Sequence, residues 1–151
     1  MPTSLNDDPE AQISILRSTV ETKFHIDTEW WEEQGRNLRF HLYDRLCPDC
    51  KELYSSYNEV EEVDWVDDET AEVTRVNALW HALSTCCSNR PDYITEETPF
   101  IEAIFRVFLS NGNTPLTPLE LHERLNPRPP KVILRLLTGD RIYNGIRPCP
   151  S

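Results

Sequence analysis

Apolar residues separated by three or four positions recur through most of this chain, the spacing of a helix with one buried face. In AQISILRSTVETKF, Ile13, Leu16, Val20 and Phe24 keep that spacing, which predicts a first helix over 11–24. DTEWWEEQGRNLRFHLYDRL follows. There Asp27 is placed to cap a helix, Glu29, Glu32 and Glu33 load its first turns, and Trp31, Leu38, Leu42 and Leu46 draw a buried stripe. Gly35 in its middle marks a bend or a close helix contact, and Pro48 stops the helix near Leu46. Ser55 to Glu69 is an acidic connector in which Val60, Val63, Trp65 and Val66 predict an irregular or short extended piece packed on the body. A third helix is expected over 68–87, DETAEVTRVNALWHALSTCC, with Val73, Val76, Leu79, Trp80 and Leu83 inward.

The last third is punctuated more sharply. Thr98 and Pro99 read as the N-cap and first residue of a helix through FIEAIFRVFLS, closed by Asn111-Gly112. LTPLELHERL repeats the start signal with Thr117 and Pro118, and Glu120 completes a capping box. NPRPP forces a turn, and KVILRLLTG supplies another short helix ended by Gly139. Asn144-Gly145, set between Ile142-Tyr143 and Ile146-Arg147, predicts a small β-hairpin.

A chain of 151 residues, 38% hydrophobic and 27% charged, suits one ordinary domain or two small ones sharing a core. No window nears the eighteen or so apolar residues of a membrane span. MPTSLNDDPEAQ carries no basic-then-apolar block, so no secretory signal is read and the expected compartment is the cytoplasm. The net charge of −11 is unevenly divided: residues 1–97 hold 22 acids and 8 bases, residues 98–151 hold 4 acids and 7 bases. The C-terminal third could therefore face an anion that the rest would repel. This shift divides the chain into an acidic helical region, 1–97, and a basic region, 98–151.

Helix, helix, turn, helix and hairpin within residues 98–148 resemble a winged helix-turn-helix domain. The resemblance covers about a third of the chain and rests on element order and caps. It implies that LTPLELHERL and PKVILRLL are the two helices of the helix-turn-helix, the second entering the DNA major groove while the wing touches the backbone. On that basis Arg128, Lys131 and Arg135 belong to the second helix and its approach, and Arg141 and Arg147 flank the wing. Five basic groups around one small unit would neutralise phosphates. The turn is unusually rich in proline, and the second helix offers no Asn, Gln or Ser between Lys131 and Leu137 for reading an adenine. Some winged helices dock proteins instead, which keeps a protein partner as the alternative.

Five cysteines carry the remaining chemistry, and an odd number is not balanced by disulfides alone. Cys47 and Cys50 in CPDC are spaced as half of a zinc site, and Cys86 and Cys87 supply a second half. Zinc takes four ligands, so Cys47, Cys50, Cys86 and Cys87 form the candidate set, with His81 and Cys149 as substitutes. On an unbroken helix Cys86 and Cys87 point about 100° apart, so the helix must fray after Thr85 for both to reach one ion. The competing readings are buried small hydrophobes, an iron–sulfur cluster held by four cysteines, and a redox dithiol. CPDC reads as the end of the preceding helix, and a thiol there lacks the helix N-terminus that activates a redox pair.

No nucleophile motif or glycine-rich phosphate loop appears: the four glycines stand apart at 35, 112, 139 and 145. His25, His41 and His122 each stand alone. The sequence thus predicts a mostly α protein, an N-terminal metal-stapled scaffold packed with a C-terminal winged helix carrying a small β-hairpin. Its expected role is a non-enzymatic, DNA-binding or transcription-associated protein with structural zinc. The alternatives are a protein-docking module and an iron–sulfur or thiol redox sensor. The apolar first helix leaves a homodimer open.

Overall fold

The computed structural model describes residues 18–54, 62–66, 73–125 and 128–149; Ile13 and Leu16 of the expected first helix and Val60 of the connector lie outside them. The described chain is mostly helical. In order come β1 (Phe24–Ile26), α1 (Thr28–Glu33), α2 (Leu38–Asp44), α3 (Pro48–Leu53), β2 (Glu62–Val66), β3 (Val73–Asn77) and α4 (Ala78–Thr85). A 3₁₀ turn at Cys87–Asn89 precedes α5 (Phe100–Ser110), α6 (Pro118–Leu125), α7 (Pro130–Leu137) and β4 (Ile146–Pro148). No helix among these residues is long and apolar enough to cross a membrane.

α5 is the axis of the core. Ile104, Phe105, Phe108 and Leu109 on it are fully buried, and they meet Leu79 and Leu83 of α4, Leu121 of α6, Ile133 of α7 and Trp31 of α1 in one hydrophobic cluster. Burial of each such side chain contributes about 1.5–3 kcal/mol. Trp31 stacks at a tilt on Phe105, ring centres 6.0 Å apart, so the N-terminal third is packed directly on the C-terminal one.

Several elements depart from the periodicity. The expected first helix does not reach Phe24: Thr22 N–H bonds to the Thr19 carbonyl in a turn, and Phe24 to Ile26 is a strand. The second expected helix is broken in two at Gly35, which adopts φ +65°, a left-handed conformation that ends α1. Asp27 does cap α1, its Oδ1 accepting from the Glu29 amide at 3.0 Å. Of the third expected helix, residues 68–72 lie outside the described residues, and the described helix starts at Ala78. Val73–Asn77 is instead a strand, antiparallel to β2 with Val63 opposite Val76, and Asn77 caps α4 by accepting from the amides of Leu79 and Trp80. The spacing of Val73 and Val76 fits either element locally; pairing with Glu62–Val66 decides for the strand, which β-branched residues favour.

In the last third α5, α6 and α7 stand where expected. Thr117 and Glu120 form the reciprocal capping box, at 3.0 and 3.1 Å. Thr98 does not cap α5. Its hydroxyl accepts from the Thr95 amide, and Pro99 holds the cap position.

The hairpin is not formed as a local pair. Asn144 (φ 53°) and Gly145 (φ 77°) make the turn, closed by Ile146 N–H to the Tyr143 carbonyl at 2.9 Å. β4 then pairs with β1, Ile26 opposite Ile146 and Phe24 opposite Pro148, while Ile142-Tyr143 is not a strand. On its other edge Phe24 exchanges two backbone hydrogen bonds with Leu116, at 2.8 and 3.0 Å. The N-terminal strand thus fills the place beside β4 that the hairpin's own first strand would have taken.

Candidate metal centre

CPDC starts a helix rather than ending one. Pro48 takes the first helical position of α3, where its missing N–H costs nothing, and Cys47 is the N-cap with extended backbone (φ −69°, ψ 161°). One turn of helix then carries Cys50 back toward Cys47. Contrary to the expectation from sequence, the Cys47–Cys50 pair does sit at a helix N-terminus.

The second half is built by a helix that stops. α4 ends at Thr85, and Cys86 (φ −123°, ψ −63°) leaves helical geometry before the 3₁₀ turn begins. Ser88 Oγ and Asn89 Nδ2 donate back to the carbonyls of Ser84 and Thr85, at 3.0 and 2.9 Å, satisfying the exposed end of the helix. This is the fraying that swings both cysteines to one side.

The four sulfurs of Cys47, Cys50, Cys86 and Cys87 all lie within 4.8 Å of one another. A zinc ion with four thiolates at about 2.3 Å has sulfur–sulfur edges of about 3.8 Å, so closing on an ion requires only small side-chain movements. Cys47, Cys50 and Cys87 are buried and belong to the edge of the main core, whereas Cys86 is exposed. The Cys47 amide donates to Cys87 Sγ at 3.2 Å, a bond that favours a thiolate and ties the two halves together.

The thiol chemistry supports ligation. At Cys47, burial pushes the pKa up, but the nearby Cys50 amide and the thiols of Cys87, Cys50 and Cys86 favour the anion and bring it to about 7, although no full capping bond closes. Burial and the neighbouring sulfurs push Cys50 up, and burial pushes Cys87 up. Four sulfurs this close cannot all be anionic unless a cation sits among them. The donor set is soft and fits a thiophilic ion such as zinc.

The two substitute ligands fall elsewhere. His81 lines a cavity of about 610 Å³ together with Trp80, Asn111 and Asn113. Cys149 is half-buried beside β1, its amide bonded to the Lys23 carbonyl at 2.9 Å, and burial raises its pKa. Neither belongs to the sulfur group.

Arg90 is the residue that spacing did not single out. Its guanidinium bonds to Asp49, inside CPDC, at 2.7 Å, and the Cys47 sulfur beside it raises its pKa. It places a positive charge next to the Cys47 sulfur and, through Asp49, bridges the two halves. Its position three residues after Cys87 was the only available signal.

Of the basic residues, Arg128, Lys131, Arg135 and Arg141 are exposed. Arg128 lies over the Phe100 ring at 4.9 Å and Arg141 over Tyr143 at 5.8 Å. Arg147 is committed inward, half-buried and 2.9 Å from Asp27.

No protein-family model, curated protein or solved structure matches the chain.

Proposed function

We propose that the protein is a zinc-stapled helical module that binds DNA through the α6–turn–α7 unit of a winged-helix-like C-terminal third. The observation that carries the zinc reading is the gathering of Cys47, Cys50, Cys86 and Cys87 within 4.8 Å. That spacing suits a single ion, since an iron–sulfur cluster must also seat its own sulfides between the ligands. With four protein ligands and no open position, the zinc is structural: it locks the start of α3 to the end of α4.

The nucleic-acid reading draws support from Lys131 and Arg135, four apart on one exposed side of α7 and without an acidic partner among the described residues, and from Arg128 and Arg141 nearby. With Pro130, Val132, Ile133, Leu134, Leu136 and Leu137 making up the rest of α7, the expected contacts are with phosphates rather than base edges.

Binding to random duplex DNA across a salt series tests it. Neutralising about four phosphates gives a log K against log salt slope of roughly −3 to −4, reduced by about one for each of Lys131→Ala and Arg135→Ala. Absence of salt-sensitive binding removes the DNA reading and turns the same helix face toward a protein partner, leaving the zinc reading intact.

A further inference from the structure

Among the four clustered cysteines, only Cys86 is exposed; Cys47, Cys50 and Cys87 are buried against the core. Cys86 is also the ligand held by the least regular backbone, at the point where α4 has ended and the 3₁₀ turn has not begun. An ion seated among the four sulfurs covers their inner sides and leaves the outer side of Cys86 facing solvent.

We infer that Cys86 is a modification site, the thiolate at which hydroperoxides meet this centre, and that its oxidation expels the ion. The inference rests on the zinc reading above. A metal-bound thiolate is a nucleophile, and its rate is set by access. The Cys86 sulfur attacks one oxygen of hydrogen peroxide, the O–O bond breaks, and hydroxide leaves. Cys86 is oxidised by two electrons to the sulfenic acid and the peroxide is reduced. A second thiolate then attacks the sulfenic sulfur, forming a disulfide and releasing a second hydroxide. Cys87 is disfavoured as that partner, because adjacent cysteines close a small ring across one peptide bond. Cys47 and Cys50, both within 4.8 Å, are placed to resolve it. Two of four ligands are then lost and the ion leaves, while the new disulfide keeps the start of α3 tied to the end of α4.

The test uses the full chain loaded with zinc, its metal content measured first, then treated with sub-stoichiometric hydrogen peroxide in the presence of a sulfenic-acid trap. The expected result is that the first adduct maps to Cys86 and that zinc appears in solution in step with it. A Cys86→His variant keeps a fourth ligand, holds zinc, and releases it about tenfold more slowly. First labelling at Cys47, Cys50 or Cys87, or equal release from Cys86→His and the parent, overturns the inference while leaving the zinc reading standing. A chain with no zinc before oxidant is added overturns both.

Discussion

Asn113 and Ile26, 87 positions apart, exchange two hydrogen bonds: the Ile26 amide donates to Asn113 Oδ1 at 2.8 Å, and Asn113 Nδ2 donates to the Ile26 carbonyl at 2.9 Å. The side-chain amide continues, past Leu116, the strand edge that β1 needs. Asn113 does this from φ 63°, a conformation that asparagine tolerates better than other non-glycine residues. Replacing it with alanine removes both bonds and keeps the unfavourable φ, so Asn113→Ala is expected to lose about 2–3 kcal/mol. Asn113→Gly relieves the φ but not the bonds and should fall between. Urea denaturation midpoints of the three proteins check the order.

Gly145 faces the same strand from the other side. A Cβ there would lie 2.9 Å from Trp31 Nε1 and 3.1 Å from the Asp27 carbonyl, and φ is +77°. Trp31 Nε1 also donates to the Asn144 carbonyl at 3.0 Å, so the indole cannot move away freely. Gly145→Ala is expected to cost about 2 kcal/mol or more and to change Trp31 fluorescence, where an ordinary surface glycine would change neither.

Glu102 receives Arg45 Nε and Nη2 at 2.6 and 2.7 Å and Arg106 Nε at 2.8 Å, with its side chain 20% exposed. Burial raises its pKa, but the hydrogen bonds and charges of Arg45 and Arg106 outweigh burial and hold it below the usual 4.5. The unfolded chain therefore takes up this proton first as pH falls. The stabilisation is complete above 4.5 and is lost as pH drops through the folded pKa. Glu102→Gln should lose about 1–3 kcal/mol at neutral pH, and its stability should fall less steeply than the parent's below that point. Denaturation midpoints against pH measure both, and the variant's zinc content should be unchanged.

How much of this was legible follows from how local each signal is. The capping box of Thr117 and Glu120 and the Asp27 cap are decided within four residues, and both form. The gathering of Cys47, Cys50, Cys86 and Cys87 was also readable, because two short pairs at ends of elements leave few other arrangements. What could not be read was strand pairing. Phe24 fits a helical stripe as well as a strand, and only Leu116 and Pro148, far along the chain, decide between them. In sequence Pro48 marks the end of one helix as readily as the start of another, because the residue that disfavours helix before it is favoured as the first residue of the next.

On the zinc reading proposed above, removing the ion with a chelator should unlock α3 from the end of α4 while leaving α5, α6 and α7 packed. The expected effect is a loss of several kcal/mol, on the order of 10 °C in thermal midpoint, reversed by adding zinc back. Arg90→Gln, which removes the cation beside the Cys47 sulfur, should weaken zinc retention by about tenfold in a chelator competition without abolishing it.

The most direct measurement is the metal content of the full chain purified without chelator or affinity-tag metal, by elemental analysis and native mass. The account requires about one zinc per chain, no visible colour, and loss of that zinc in a Cys47→Ser, Cys87→Ser double variant. A chain that carries no metal and takes none up on titration, or that retains its zinc in the double variant, contradicts it.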